Sequence, residues 1–443
     1  MIRLTLIIAM ASTMLLGWAG FQTREEKVRN DKAKIEAGGY WIYNDFAKAQ
    51  SEAKKTGKPL IAVMRCIPCV ECVKLDDDLI DADARVKPLL DQFVRVRIIS
   101  TNGLDLSVFQ FDTDQSFAAF LLNADGTIYG RFGTRSHRTV WENDVSVDGL
   151  VNALQRTLAI HKQHPKYKTA FAAKRGPVPE FIHPELLPSL KDKYKSTIDY
   201  EGKVVQSCIH CHQVGDAVRE LSFSRKEKLP EKLLFPYPHP KSIGLILDPN
   251  EIAMVRKAEP GSAAARAGFK TGDEISVLEG QPLLSIADVQ WVLNGASADG
   301  ANLKATVVRG DKIVDLTLKL DKGWRQRDDI SWRASTWGLR RKALGGMLLE
   351  QLPVKDRTEQ NLPSNSTALM VKHVGEFAPH NVAHRAGIRK GDIVLGFDSR
   401  TDLLRETDVI AYSLREKQPG DRVEVSILRN GSRQTVSFVI PES

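Results

Sequence analysis

The sequence predicts a multidomain chain: an α/β domain, then a small, mostly helical or irregular module, then two mainly β domains with short helices. Three observations predict this. Residues 41–161 alternate helical and strand patterns. Residues 162–240 are rich in lysine and proline. From residue 241 onward the chain repeats itself. The length of 443 residues admits about three domains, and 42% hydrophobic residues is ample for their cores.

Taken in order, residues 1–19 read as a secretory signal peptide. Arg3 is the short positive region, Leu4 to Leu16 the apolar run, and Gly17 and Ala19 the small residues before a cleavage. The run is short for a bilayer span, which needs roughly 20 residues. The expected mature protein therefore has no stable membrane span and is secreted or periplasmic, in a bacterial cell envelope where disulfides persist. An uncleaved N-terminal anchor is the alternative. Residues 20–40 form a charged helical leader.

In residues 41–161, Asn44 or Asp45 can cap a helix whose apolar face is Phe46, Ala49 and Ala53. Leu60 to Met64 is an apolar strand, the stretch from Leu90 to Ser100 holds a second, and Phe117 to Leu122 is a third. Asn123 to Gly126 is a turn, Thr127 to Phe132 its hairpin partner, and Val147 to His161 a closing helix. This order, with Lys58-Pro59 before the first long strand and Asp125-Gly126 in the hairpin, resembles the thioredoxin fold. In residues 162–240, helical patches such as Glu185 to Tyr194 interrupt the prolines.

The repeat spans residues 241–322 and 323–443. Each copy has a strand, an alanine-rich short helix, the pattern A-G-Φ-x-x-G-D-x-Φ, a second helix (Ile286 to Leu293 or Asp408 to Arg415) and two alternating strands. This signature resembles PDZ domains of the bacterial type. The resemblance implies that proteins or peptides are the partners, bound as an added strand with a terminal carboxylate held on backbone N–H groups of a glycine loop. The loop candidates are Ser242, Ile243, Gly244 and Leu245 in the first copy. In the second they are Leu344, Gly345, Gly346 and Met347, with Trp337-Gly338-Leu339 as the weaker choice.

All five cysteines lie in two clusters. Cys208-Ile209-His210-Cys211-His212 is C-x-x-C-H, the attachment pattern of a c-type haem. Cys208 and Cys211 would carry a covalent haem c and His212 would ligate its iron. His239 and His183 are candidates for the sixth ligand. A structural disulfide or a zinc site involving His210 and His239 remains open. Cys66-Ile67-Pro68-Cys69-Val70-Glu71-Cys72 is the other cluster. A thiol at a helix N-terminus is acidified and attacks disulfides. Counting from Lys58-Pro59, the resemblance to thioredoxin-like proteins puts the active pair on Cys69 and Cys72, with Cys66 as a third thiol. The stretch Asp114 to Phe117 lacks the proline that thioredoxin-like oxidoreductases place opposite their thiols. A structural disulfide with one spare thiol, or metal binding, stays open here too.

The net charge of +8 comes from interspersed residues, with no arginine stripe among aromatics, which argues against nucleic acid as a partner. The PDZ repeats resemble those attached to periplasmic serine proteases, but the chain has no G-x-S-x-G. The whole arrangement resembles bacterial envelope proteins that join a thioredoxin-like domain to C-terminal PDZ repeats. The expected function is that of a redox-linked protein-binding protein, a thiol-disulfide oxidoreductase at most in enzymatic terms. The alternatives are a PDZ adaptor with structural cysteines and a c-type electron carrier.

Overall fold

The computed structural model describes residues 22–81, 83–134 and 144–441; the signal segment, residues 1–19, lies outside them. Thr23 starts helix α1 (Arg24–Gly38) with a capping box, its hydroxyl accepting from Glu26 N while the Glu26 carboxylate accepts from Thr23 N. Strand β1 (Ile42–Tyr43) precedes α2 (Phe46–Thr56), which Asp45 caps by accepting from Lys48 N at 2.8 Å. Strand β2 (Leu60–Met64) runs into the cysteine turn and α3 (Val70–Asp76). Strands β3 (Val94–Ile98), β4 (Phe117–Leu122) and β5 (Ile128–Thr134) and helix α4 (Val147–His161) complete the domain.

The sheet order is β1-β3-β2-β4-β5, parallel across β1, β3 and β2 and antiparallel across β4 and β5. Every residue of β2 and β4 is buried, as unbroken apolar runs covered on both faces require. The order of elements follows the sequence reading.

The segment expected as a small separate module is shared among three cores. Phe171 and Val204 pack into the first domain, and Leu229, Leu234 and Phe235 enter the core of the second repeat. A small cluster of Leu187, Leu190, Ile209, Val214 and Ala217 is its own. Its one long helix is α5 (Cys211–Ser224). The helix expected at Glu185 to Tyr194 is replaced by a 3₁₀ turn at Pro184–Leu186, because Pro184 and Pro188 lack the N–H donors that a helix would use.

The first repeat comprises β6 (Leu245–Leu247), β7 (Val255–Ala258), α6 (Ala263–Ala267), β8 (Glu274–Leu278), β9 (Gln281–Pro282), α7 (Ile286–Gly295), β10 (Ala301–Arg309) and β11 (Lys312–Leu320). Helix α8 (Thr336–Leu344) leads into the second: β12 (Met347–Gln351), β13 (Leu369–Val374), α9 (Val382–Arg385), β14 (Ile393–Phe397), α10 (Glu406–Glu416), β15 (Arg422–Arg429) and β16 (Ser432–Val439). Gly272 and Gly391 take φ of 87° and 91°, the left-handed turn for which glycine is needed. The aspartate that follows each is clamped identically: Arg309 Nε donates to Asp273 and Arg429 Nε to Asp392, both at 2.7 Å.

Among the described residues no helix is long and apolar enough to cross a membrane. The domains are bolted together by buried polar contacts. Asp288 of α7 accepts from Arg131 N of β5 at 3.1 Å and pairs with Lys174 at 2.9 Å, both side chains being fully buried. Burial pushes the Lys174 pKa down, and Asp288 opposes that shift. Arg333, ahead of α8, donates to Asp112 at 2.6 Å, and Ser335 Oγ donates to Asp114 at 2.7 Å. Burial raises the Asp114 pKa, but the charges of Arg333 and Arg219 outweigh it and hold the carboxyl below its usual range.

Candidate thiol site and peptide grooves

Cys69 is the N-cap of α3, and its sulfur accepts from Cys72 N at 3.3 Å. Helix α3 therefore begins at the Cys69–Cys72 turn, with Cys66 ahead of it. Cys72 Sγ donates to Cys69 Sγ at 2.7 Å and also hydrogen-bonds Cys66, so three sulfurs meet with Cys72 between the other two. None of the five cysteines is joined in a disulfide.

The second cysteine cluster meets the first. His210 Nδ1 lies 3.3 Å from Cys66 Sγ, although the two residues are 144 positions apart. Ile209 holds the segment in place. Its carbonyl accepts from Thr101 N at 3.0 Å, Thr101 Oγ1 at 2.9 Å and Ser100 Oγ at 3.1 Å, and its N–H donates to Asn102 Oδ1 at 2.8 Å. Helix α5 then crosses the loop before β4 so closely that a Cβ on Gly215 would sit 2.6 Å from Thr113 Oγ1. That loop is the place where the thioredoxin-like proline is missing, and α5 lies on it.

The hydrogen bond from Cys72 lowers the Cys66 pKa most; His210 adds to it against burial, and the thiol falls well below its usual range. The same bonds to Cys66 and Cys69, together with burial, push the Cys72 thiol up. Burial pushes Cys208 up to about 11 and Cys211 up to about 12, with the charge on Cys66 adding to both. The surroundings thus favour the thiolate at Cys66 and the neutral thiol at Cys72, Cys208 and Cys211. Beneath it, Asp76 is fully buried between Arg65 and Arg97, and burial raises its carboxyl despite both arginines.

The fit of a covalent haem can be tested on these residues. Cys208 is 3% exposed and its thiol donates to Val204 O at 3.0 Å. Cys211 packs against the core of Phe109, Phe111 and Phe120. His212 stacks on His210, ring centroids 5.9 Å apart. Cys208 is covered by the protein's own groups and Cys211 is half-buried against a packed core, so the segment as folded does not fit the porphyrin. Of the sixth-ligand candidates, His239 is paired with Asp144 at 3.3 Å and His183 Nδ1 lies 3.2 Å from Leu104 O. Among the described residues no group of three or more His, Cys, Asp or Glu is arranged to hold a metal.

The glycine-loop residues sit directly before the first strand of each repeat. Ser242 and Ile243 end a 3₁₀ turn, Gly244 takes φ 74°, and Leu245 opens β6, with Ile243 and Leu245 both buried. The Gly244 N–H is used by Lys241 O at 2.9 Å. In the second copy Leu344 is the last residue of α8, Gly345 is its left-handed C-cap, and the Gly346 N–H donates to Arg340 O at 3.1 Å before Met347 opens β12. These N–H groups finish the preceding turn or helix and are not free for an anion. The weaker candidate, Trp337-Gly338-Leu339, is inside α8.

Both groove helices carry contacts from their own chain. Tyr237 N donates to Asn294 of α7 at 3.1 Å. Arg340 of α8 donates to Glu406 of α10 at 2.9 and 2.6 Å, and Leu349 N of β12 donates to the same carboxylate at 2.8 Å. The sequence reading passed over Arg340, Glu406, Asp112, Asp114 and His210's part in the thiol site. For Glu406 the repeat offered a signal: the matching first helical residue in the other copy is the apolar Ile286.

Comparison with known proteins agrees with this architecture. Residues 41–124 match the thioredoxin-like family, and residues 238–320 and 357–440 each match the PDZ domain. A periplasmic serine protease of the do/HhoA-like kind from Haemophilus influenzae is 28% identical over 181 residues, covering 41% of this chain and 34% of that protein. The periplasmic pH-dependent serine endoprotease DegQ of Escherichia coli is 27% identical over 150 residues, 34% of this chain and 29% of its own. The chain thus spans about a third of the length of such relatives. The solved HtrA-type protease AlgW with a decapeptide aligns at a TM-score of 0.21 and 13% identity, over 32% of this chain and 49% of that one. The chain carries a thioredoxin-like domain followed by two PDZ domains.

Proposed function

We propose that this is a peptide-binding protein of the bacterial periplasm whose thioredoxin-like domain carries a redox-active thiol. The observation that carries the thiol half is Cys66, hydrogen-bonded by Cys72 and by His210 at 3.3 Å. The PDZ domains and the periplasmic relatives support the binding half and the location. The relatives' names are those of proteases, but the sequence has neither G-x-S-x-G nor H-E-x-x-H, so proteolysis is not part of the reading.

In the thiol chemistry, the Cys66 thiolate attacks an incoming disulfide, forms a mixed disulfide and expels one thiolate. Cys72 then attacks the Cys66 sulfur, closing a Cys66–Cys72 disulfide. Its proton leaves with the second substrate thiol. The substrate gains two electrons and the protein loses two. The anionic state of Cys66 supplies the nucleophile, and the protonated state of Cys72 keeps it from competing.

The test is the reaction of the reduced chain with 5,5′-dithiobis(2-nitrobenzoate). One thiol reacts in a fast burst, Cys66→Ser abolishes the burst, and a Cys72→Ser chain accumulates the mixed disulfide. An unchanged burst in Cys66→Ser would remove the redox reading. The adaptor reading draws on the covering of the thiol face by α5, and it requires that replacing Cys69 and Cys72 leave peptide binding unaltered. A pyridine haemochrome spectrum of protein matured with the c-type haem apparatus tests the haem separately, and a colourless protein is expected.

A further inference from the structure

Helices α7 and α10 hold equivalent places in the two PDZ domains, yet their first residues differ in kind. Ile286 is packed in an apolar core. Glu406 is 3% exposed and accepts from Arg340 Nε at 2.9 Å, Arg340 Nη2 at 2.6 Å and Leu349 N at 2.8 Å. Leu349 lies on β12, the edge strand of its sheet, and the opposite edge of β12 is taken by β13. A peptide that binds a PDZ domain adds to such an edge and offers its carbonyls to these N–H groups. Here a carboxylate of the same chain occupies one of them. Helix α8, which supplies Arg340, packs against both β12 and α10, and Ser413 Oγ of α10 donates to Ala343 O of α8 at 2.9 Å. The chain lays α8 on both walls of the groove.

Opening that groove has a specific electrostatic consequence. A ligand that takes the place of α8 against β12 and α10 covers Glu406 as α8 does, and in doing so removes both bonds to its cation. A buried carboxylate without a partner is strongly unfavourable, so only a ligand that returns a cation to Glu406 displaces α8 without that loss. Arginine suits the place best, because its planar fork matches a carboxylate in two bonds. We propose that the second PDZ groove is a latched site for peptides carrying an arginine or lysine, whose cation takes the place of Arg340 on Glu406. This rests on the peptide-binding reading and names the ligand class of one groove. The first domain, with Ile286 at the matching place, has no carboxylate to satisfy and selects against the same cation.

The test uses the full chain and a fluorescein-labelled peptide copying residues 333–345, followed by fluorescence anisotropy. In an Arg340→Ala chain the latch has lost its cation and Glu406 is left waiting for one. That chain binds the probe at least about tenfold more tightly than the unaltered protein, and binds a probe carrying Ala in place of its own arginine 340 about tenfold more weakly. In the Arg340→Ala, Glu406→Gln chain the two probes bind alike. Equal binding of both probes by the Arg340→Ala chain, or binding no tighter than that of the unaltered chain, overturns the proposal. If Arg340→Ala fails to fold, the reversed pair Arg340→Glu with Glu406→Arg replaces it. That chain prefers a probe with glutamate at the same place, and indifference overturns the proposal. A peptide with an apolar C-terminus run in the same assay separates the two readings. If it binds while the cationic probes are not distinguished, only the latch fails; if no peptide binds at all, the peptide-binding reading falls with it.

Discussion

The two PDZ domains have the same plan and opposite uses of the same helix. In the first, α7 is a joint. Its residues from Ile286 to Asn294 are buried apart from Trp291, and Asp288 ties it to Arg131 of the thioredoxin-like domain and to Lys174 of the segment that follows it. In the second, α10 is the groove wall on which α8 lies, and Asp408, the counterpart of Asp288, caps the helix by accepting from Arg405 N at 2.9 Å and pairs with the Arg405 guanidinium at 2.6 Å. An aspartate at one helical position is thus a buried inter-domain anchor in one copy and a half-exposed cap in the other. A repeat preserves the fold, whereas the neighbours decide what each surface does.

The largest expected effect separates these two aspartates. Asp288→Ala leaves Lys174 buried without its partner and costs about 3–5 kcal/mol in urea unfolding, whereas Asp408→Ala costs about 1 kcal/mol or less. Equal losses would mean that the first domain is not anchored through α7. A smaller effect tests the tie between the second domain and the thiol face. Ser335→Ala removes a hydrogen bond to the buried Asp114 and lowers stability by about 1.5–3 kcal/mol. The loop carrying Asp112 and Asp114 faces α5, so this variant also opens locally more often and speeds the alkylation of Cys66. A stability loss with unchanged alkylation would show the tie to be structural only.

The smallest effect is confined to pH. A thiol with a lowered pKa stays anionic as the pH falls below about 8.5, where an ordinary thiol is taking up its proton. Alkylation of Cys66 by iodoacetamide is therefore nearly flat between pH 8.5 and pH 6, while Cys208 and Cys211, with raised pKa values, react only toward the alkaline end. Peptide mapping by mass spectrometry reads each cysteine separately. A Cys66 profile that falls tenfold per pH unit over that range would remove the thiolate.

Much of the fold was legible in the chain because its signals are local. The apolar runs at Leu60 to Met64 and Phe117 to Leu122, the cap at Asp45 and the glycine-aspartate turns at 272–273 and 391–392 are each decided within a few residues. The proline-rich segment was less legible. Its residues serve three different cores, and a residue such as Phe235 has no local pattern that says which core it enters. The resemblance to thioredoxin-like proteins, counted from Lys58-Pro59, placed Cys69 and Cys72 on a helical turn, whereas the spacing of five consecutive residues suggested a haem. Whether the thiols and the histidine of such a motif face a cavity or a packed core is not written in their spacing.

By itself the sequence determined the order of domains, the repeat, and the concentration of all thiols in two short clusters, since periodicity, caps and turns act over a few residues. Only the tertiary structure decided that the clusters meet, with His210 on Cys66, and that Arg340 of α8 pairs with Glu406 of α10. These pairings join segments far apart in the chain, and they are settled by which buried charges and sulfurs must find partners once the domains pack.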